Sequence, residues 1–199
     1  MKLVLASKNA HKLVELKDIL SQLGVEVVLE SEAGVDVDVE ETGATFEENA
    51  YLKAHAVMEA SGLPAIADDS GLCVDALNGA PGVYSARYGG EGLDDAGRYR
   101  LLLENMRGQT PRTAKFVSVI TCCFPNGDVL SARGECPGTI AFAPMGEGGF
   151  GYDPVFFIPS LKKTFAQLSP EEKNAISHRG KALEAFQVKL EEYLGEDRS

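Results

Sequence analysis

Short apolar runs alternate with helix-like patterns along the first third of the chain. Residues 2–6 and 25–29 are almost entirely apolar, as in buried strands, whereas residues 35–39 alternate valine with aspartate, as in a half-buried strand. Between the first two runs, leucines recur every three or four residues. They predict a helix over 11–23 that ends at Gly24.

Capping residues mark two further helices. Thr45 and Glu48 form a capping box before a helix over 46–60, and Ser169 and Glu172 form another before a helix from residue 170 onward. Periodicity alone predicts one more helix, over 94–106.

The remaining apolar runs predict strands. Two short runs flank an acidic turn, and two long runs form a hairpin with Pro125-Asn126-Gly127-Asp128 at its tip. The glycine-rich stretches between these elements predict loops. The short runs are 65–67 and 72–74, the long runs 114–124 and 129–142, and the loops 78–92 and 146–154.

This order of elements predicts an α/β fold: an elongated mixed β-sheet with flanking helices, in two lobes around a central substrate cleft. No repeat, low-complexity tract or linker interrupts the sequence. We therefore expect residues 1–199 to form one domain.

The chain is acidic, with a formal net charge of −11. This charge disfavours nucleic acid or an anionic membrane surface as a partner. A small anionic ligand stays compatible with it, because lysines or a divalent cation reverse the field locally. No apolar run approaches the length of a membrane span, and the run after Lys2 is too short for a signal peptide.

The four cysteines have neither Cys-x-x-Cys pairing nor the spacing of a zinc site. Cys122 and Cys123 are adjacent, so in a strand they would point to opposite faces. We interpret all four as reduced core thiols of a cytoplasmic protein. The other two are Cys73 and Cys136.

The segment Ser7-Lys8-Asn9-Ala10-His11-Lys12 links the first strand to the first helix. Such a turn exposes backbone amides at the positive end of the helix dipole, where phosphates bind readily. Lys8 and Lys12 lie one helical turn apart and could both contact one anion. A solvated helix start is the alternative interpretation.

The second predicted helix carries a lysine in its apolar stripe. Lys53 either extends its ammonium group to the surface or points into a polar cleft. Asn49 lies one turn earlier on the same side, and Glu40 and Glu41 precede the helix.

Asp68 and Asp69 stand between two apolar runs rather than on a solvated helix. Carboxylates there are costly to bury without a positive partner. Mg²⁺ suits them because it binds carboxylate oxygens and bridges phosphate oxygens. An ordinary Asp-Asp-Ser-Gly turn is the alternative, and the further carboxylates of Glu40 and Glu41 favour the metal site.

Residues 146–154 contain Gly-x-Gly-x-x-Gly, but Pro154 follows closely and no helical pattern begins, which excludes a dinucleotide-binding turn. Phe150 and Tyr152 suit a clamp that stacks on a flat base. Core packing of both rings is the equal alternative.

The block Lys173-Asn174-Ala175-Ile176-Ser177-His178-Arg179 brings several side-chain donors together on the last helix. These donors suit carbonyl oxygens on the edge of a base. A solvated charged face is the alternative.

Read in order, these blocks resemble the inosine triphosphate pyrophosphatase family, which acts on non-canonical purine triphosphates. Ser7 stands where threonine is common in that family and keeps the hydroxyl group. The matching motifs are Ser7-x-Asn9-x-x-Lys12, Glu41-Thr42-Gly43-x-Thr45-Phe46-x-Glu48-Asn49-Ala50-x-x-Lys53-Ala54, Asp68-Asp69-Ser70-Gly71-Leu72-x-Val74-Asp75, Gly79-x-Pro81-Gly82-Val83-Tyr84-Ser85-Ala86-Arg87-Tyr88, Gly149-Phe150-Gly151-Tyr152-Asp153-Pro154 and Lys173-Asn174-x-x-Ser177-His178-Arg179.

The resemblance implies hydrolysis of ITP, dITP and XTP to the monophosphate and pyrophosphate, with Mg²⁺ as cofactor and usually by a homodimer. It gives catalytic roles to Lys53, Asp68 and Asp69, with Asp69 as general base. It places Mg²⁺ at Asp69 with Glu40 or Glu41. The implied substrate-binding residues are Ser7, Lys8, Asn9, Ala10, His11, Lys12, Asn49, Ser70, Phe150, Gly151, Tyr152, Asp153, Lys173, His178 and Arg179.

Three other functions share some of these features. A sister pyrophosphatase for pyrimidine or modified-base triphosphates would use similar metal chemistry. A nucleotide sensor would bind without turnover. An aspartic protease built on Asp69-Ser70-Gly71 would leave the lysines and the glycine loop without a role.

Overall fold

A seven-stranded β-sheet organises the protein in the computed structural model, which describes residues 1–196. The strand order is β2-β1-β3-β4-β5-β6-β7. The strands are β1 (Lys2–Leu5), β2 (Glu26–Leu29), β3 (Ala65–Val74), β4 (Thr113–Cys123), β5 (Val129–Ile140), β6 (Phe156–Ile158) and β7 (Lys163–Thr164). The helices are α1 (Ala10–Leu20), α2 (Phe46–Ser61), α3 (Asp95–Asn105), α4 (Pro170–Ile176) and α5 (His178–Glu196).

The sheet is mixed, as predicted. Strand β1 pairs in parallel with β2 and β3, whereas β6 runs antiparallel to β5 and β7. In the β1–β3 register, Leu5 lies opposite Ile66. Asp68 and Asp69 therefore lie just beyond the carboxyl end of β1, at the edge where α/β sheets commonly bind ligands.

The chain folds into two compact units. The first comprises Met1–Asp69, Ser118–Gly134 and the chain from Lys181 onward, and the second comprises Ser70–Val117 and Glu135–Gly180. Neither is one continuous segment, because β3, β4 and β5 contribute residues to both.

The first unit buries apolar side chains on both faces of its strands. Leu3 and Leu5 of β1 join one apolar cluster with leucines of α1 and Phe186 of α5, and Val4 joins another with α2. Successive strand residues point to opposite faces, so β1 is covered by helices on both sides. Its continuous apolar run follows from this double burial.

The second unit has an aromatic core. Phe116 and Phe156 pack edge to face with ring centroids 4.4 Å apart, and Phe165 lies 4.9 Å from Phe156. Leu72 of β3 and Leu102 of α3 are buried in the same cluster. Helix α3 therefore rests on a packed core.

The predicted strand over 35–39 is wrong, since residues 35–40 have no regular secondary structure. Val35 is buried, and Val37 packs against the cluster that contains Val4. The alternation of valine with aspartate arises from a segment lying on the core without a strand to pair with.

The predicted acidic turn is also wrong, because β3 runs unbroken from Ala65 to Val74. Asp68, Asp69, Ser70 and Gly71 favour turns as residue types. In this chain they belong to β3, which lies between β1 and β4 in the sheet, and Lys12 and Lys53 contact Asp68 and Asp69.

The last predicted helix is two helices, α4 and α5, separated at Ser177. Ser177 is extended, with ψ of 152°, and its Oγ accepts a hydrogen bond from Gly180 N at 3.1 Å. This serine caps the start of α5. The predicted helix from residue 170 onward is therefore interrupted at Ser177.

Other expectations are confirmed. Helix α2 begins at Phe46 with Thr45 as its N-cap, and the predicted first helix is α1 followed by a 3-10 turn, Ser21–Leu23. Cys122 and Cys123 belong to two different apolar clusters, as opposite faces require. None of the four cysteines, all within the described chain, forms a disulfide. No helix within residues 1–196 is long and apolar enough to cross a membrane.

The buried face of α5 gives a test of the fold. Phe186 is 0% exposed and Val188, on the same helix, is 54% exposed. Phe186→Ala should lower the free energy of unfolding by about 3–5 kcal/mol because it leaves a cavity. Val188→Ala should change it by less than about 0.5 kcal/mol. Urea denaturation measures both, and equal effects would contradict this packing.

Candidate active site

The predicted site residues fall into two sets, one in each compact unit, and each set is described by itself. The first set contains Ser7, Lys8, Asn9, Ala10, His11, Lys12, Glu40, Glu41, Asn49, Lys53, Asp68 and Asp69. The second contains Ser70, Phe150, Gly151, Tyr152, Asp153, Lys173, His178 and Arg179.

Lys53 is the centre of the first set. Its Nζ lies 2.6 Å from the backbone oxygen of Asp68, 2.9 Å from Glu41 Oε1 and 3.9 Å from Asp69 Oδ1. The side chain therefore points to the acidic strand rather than to the surface. Helix α2 places it there because the Thr45 cap fixes where the helix begins.

Asp69 is a buried carboxylate, only 8% exposed. Burial raises its pKa to about 6, the positive charge of Lys53 opposes this rise, and the negative charge of Glu41 adds to it. Among the described residues, Asp69 Oδ2 has no hydrogen-bond partner. An oxygen in this condition suits a bound cation.

Asn49 is fully buried beside this carboxylate. Its Oδ1 accepts a hydrogen bond from Gly43 N at 2.7 Å, and a Cβ at Gly43 would lie 2.6 Å from that oxygen. Glycine is therefore required at position 43. The Asn49 amide also lowers the pKa of Asp69. Its Nδ2 nevertheless makes no hydrogen bond of regular geometry within the described chain.

The turn before α1 satisfies some of its own amides. Asn9 caps the helix by accepting from His11 N at 2.9 Å, and Ser7 Oγ accepts from Asn9 N at 3.1 Å. Ala10 is the first helical residue. A phosphate bound at this turn would therefore either displace these side-chain hydrogen bonds or bind beside them.

Lys8 and Lys12 contact different carboxylates. Lys12 Nζ lies 2.8 Å from Asp68 Oδ1 in a largely buried pair, whereas Lys8 Nζ lies 2.9 Å from Asp36 in an exposed one. Of these two lysines, only Lys12 thus contacts the acidic strand. Binding of both lysines to one anion stays a prediction. The side chain of Asp68 binds Lys12 while its carbonyl binds Lys53.

The carboxylates of this set would bind a metal ion only if a bound ligand supplied the remaining donor atoms. Within residues 1–196 no three Asp, Glu, His or Cys side chains are arranged to hold a metal ion. Asp69 and Glu41 nevertheless both contact Lys53, and they are hard oxygen donors of the kind Mg²⁺ prefers. Glu40 is exposed, so Glu41 is the better candidate.

The second set is built on a tight turn. Phe150 N donates to Asp153 Oδ2 at 3.1 Å, and Asp153 N donates to Phe150 O at 3.2 Å. Gly149 has φ of 71°, and a Cβ there would lie 2.1 Å from Asp153 Oδ2. Only glycine permits this approach of carboxylate to backbone.

A buried ion pair joins this turn to α4. Lys173 Nζ lies 2.6 Å from Asp153 Oδ2, and Asp153 is only 3% exposed. Burial raises the pKa of Asp153, and the charge of Lys173 opposes that rise. The same ammonium lies 4.5 Å from the centre of the Phe150 ring.

The two aromatic residues of the turn differ in environment. Phe150 is 64% exposed, whereas Tyr152 is 6% exposed and packs in the core of the second unit. The Tyr152 hydroxyl donates to Ser85 O at 2.6 Å. Core packing therefore describes Tyr152, and only Phe150 is free to stack on a ligand.

The other members of this set have mixed environments. His178 is buried, and its ring stacks on Phe116 with centroids 4.8 Å apart. Arg179 is partly exposed on the first turn of α5, and Ser70 is exposed on β3. Arg179 is thus a more accessible donor than His178.

Two residues of the second unit were not predicted from the sequence. Ser85 Oγ accepts from Leu72 N at 2.9 Å and donates to Gly82 O at 2.6 Å. Asp95 Oδ2 accepts from Gly151 N at 2.9 Å. Ser85 lies in a motif for which the resemblance gave no role, and nothing in the sequence around Asp95 marks its contact.

Fold and site together define an α/β protein that carries buried carboxylates paired with lysines at the carboxyl edge of parallel strands. The sequence profile of the Ham1 family matches residues 3–189, and the chain belongs to this family.

Known proteins that are similar to this chain support the family assignment. A dITP/XTP pyrophosphatase of Escherichia coli O157:H7 is 52% identical over 186 residues, covering 92% of this chain and 94% of that protein. One from an Exiguobacterium species is 48% identical over 190 residues, covering 96% and 97%. The structure of the Staphylococcus aureus Ham1 protein superposes with a TM-score of 0.92 at 47% identity, covering 97% of this chain and all of that one.

The pKa of Asp69 predicts a pH-dependent stability of the metal-free protein. A folded-state pKa of about 6, above the ordinary 3.8, means that the carboxylate costs stability as pH rises through this interval. Asp69→Asn removes that cost. With a chelator present, the free energy of unfolding of Asp69→Asn minus that of wild type should increase by on the order of 2 kcal/mol from pH 4 to pH 7.5. Urea titrations at both pH values measure it, and a pH-independent difference would contradict the shift.

Proposed function

We propose that this protein is a metal-dependent nucleoside triphosphate pyrophosphatase that hydrolyses dITP, ITP and XTP to the monophosphate and pyrophosphate. The observation that carries the proposal is the lysine–carboxylate cluster of Lys53, Glu41 and Asp69. The names of the similar proteins support the substrate class.

Asp69 is the proposed general base. In the metal-free protein its pKa is about 6, so it is mostly ionised at neutral pH and can accept a proton from water. The water oxygen forms a bond to the α-phosphorus, the bond from that phosphorus to the bridging oxygen of the β-phosphate breaks, and pyrophosphate leaves. The proton passes to Asp69 and then to solvent.

Lys12 and Lys53 are the proposed phosphate-binding cations. Each is anchored to the acidic strand by a contact under 3 Å, Lys12 to Asp68 and Lys53 to the Asp68 carbonyl. Such preorganised charges stabilise a phosphoryl-transfer transition state without reorganisation. Mg²⁺, held by Asp69 and Glu41, would neutralise charge on the phosphate oxygens.

The second set is proposed to recognise the base. The exposed ring of Phe150 offers a stacking surface. Lys173 and Arg179 offer donors to the 6-oxo group of hypoxanthine or xanthine, where adenine has an amino group. The amino group of adenine is itself a donor and cannot accept these hydrogen bonds, which disfavours ATP.

The remaining proposals rest on the resemblance. We infer that residues 1–199 act as one enzymatic domain, and that two copies form a homodimer. The four free cysteines agree with a cytoplasmic location.

A substrate panel tests the proposed reaction. Pyrophosphate release from dITP, ITP, XTP, GTP, ATP, dTTP and UTP should be measured with and without Mg²⁺. We expect metal-dependent release from dITP, ITP and XTP, and at least a hundredfold lower kcat/KM for ATP, since a donor that faces the amino group of adenine loses the hydrogen bond it makes to a 6-oxo group. Release mainly from dTTP or UTP would indicate a sister pyrophosphatase, and binding without release would indicate a sensor.

The choice between the two glutamates gives a second prediction. Glu41→Gln should raise the Mg²⁺ concentration for half-maximal dITP hydrolysis by roughly tenfold, the effect of losing about 1.4 kcal/mol of binding. Glu40→Gln is the matched variant with the same loss of charge, and its effect should be much smaller because Glu40 is exposed. The opposite ranking would transfer the role to Glu40.

A further inference from the structure

The position of Phe150 depends on backbone contacts. Its ring is exposed and lies 4.5 Å from Lys173 Nζ, with no other aromatic or cationic neighbour among the described residues. The backbone that carries an exposed ring sets the position of its Cβ and restricts its rotamers. Asp153 holds the Phe150 backbone through two hydrogen bonds. The contacts of the next residues, Gly151 and Tyr152, hold the following part of the turn and so contribute to where Phe150 points.

Gly151 is fixed by a carboxylate from another element. Its N–H donates to Asp95 Oδ2 at 2.9 Å, and the next residue, Tyr152, is fixed on the other side through its hydroxyl to Ser85 O at 2.6 Å. Gly151 has φ of 58°, a left-handed conformation that the backbone alone would readily leave. The Asp95 contact holds this flexible residue in place.

Asp95 stands on a rigid support. It is the first residue of α3, a helix that buries Leu102 in the core of the second unit. The capping of α3 is done by Asp94, whose Oδ1 accepts from Gly97 N at 2.7 Å. The carboxylate of Asp95 is therefore not the cap of α3. It accepts a hydrogen bond from Gly151, which lies 56 positions later in the sequence.

We propose that Asp95 is a positioning residue for base recognition: by holding the Gly151 amide, it keeps the Phe150 ring in the orientation that stacks on the base. This inference rests on the proposed function. Asp95 touches neither phosphate nor metal in this scheme, so its loss should affect nucleotide binding rather than the chemical step.

Steady-state kinetics with dITP separate this role from a general structural one. Asp95→Ala should raise KM roughly three- to tenfold, the effect of losing one hydrogen bond at an exposed site, with kcat changed less than twofold. Asp95→Asn keeps an acceptor oxygen and should restore most of the affinity. Glu91→Ala removes an equally exposed charge four residues earlier and should match wild type.

A ligand without a base sharpens the test. Inorganic tripolyphosphate, used as a competitive inhibitor, should bind wild type and Asp95→Ala equally, because Asp95 acts only on the base-binding turn. An equal weakening of tripolyphosphate and dITP would overturn the proposal.

A fluorescence readout makes the proposal independent of turnover. The chain contains no tryptophan, so Phe150→Trp introduces a single emitter at the turn. Adding Asp95→Ala should lower the emission anisotropy of this tryptophan without nucleotide, and adding Glu91→Ala should not.

The outcomes separate the two levels of inference. Absence of wild-type turnover, with the anisotropy change present, would overturn the proposed function and leave Asp95 as the residue that holds the turn. Normal wild-type turnover with an unchanged KM in Asp95→Ala would overturn the role of Asp95 alone. Equal losses in Asp95→Ala and Asp95→Asn would also overturn it.

Discussion

The ammonium group of Lys53 is the contact on which the first compact unit depends. It lies between the Asp68 carbonyl and the carboxylates of Glu41 and Asp69, and so makes the burial of Asp69 tolerable. Without it, an ionised carboxylate only 8% exposed would lack a compensating charge.

The second unit repeats this arrangement with different residues. Asp153 is buried, and Lys173 from a neighbouring helix pairs with it at 2.6 Å. Buried ion pairs are weak contributors to stability compared with apolar packing of the same volume. Raised pKa values cluster at functional sites, so the burial of Asp69 and Asp153, each beside a lysine, marks both as candidate functional residues.

Tyr152 and Phe150 show why neighbouring residues of one type take different roles. Tyr152 completes the core and anchors the turn through its hydroxyl, which lets Phe150, two positions earlier, remain exposed without the turn losing its shape. Ser85 supports this arrangement within the second unit. Its Oγ accepts a hydrogen bond from Leu72 N of β3, and its backbone oxygen accepts one from the Tyr152 hydroxyl. These contacts fix the position of the turn.

The sequence by itself determined the mixed α/β class, the bounds of α1 to α3, the opposite facing of Cys122 and Cys123, and the residues that carry the family resemblance, because periodicity and capping are local properties. Tertiary structure decided what local rules cannot contain. It held Asp68-Asp69 in a strand, left residues 35–39 unpaired, and split the last helix at Ser177. It also directed Lys53 inward, separated the partners of Lys8 and Lys12, and brought Asp95 to Gly151. The split at Ser177 comes from a local serine cap that periodicity did not reveal. The other features depend on charges or strands distant in sequence, which come together only when the chain folds.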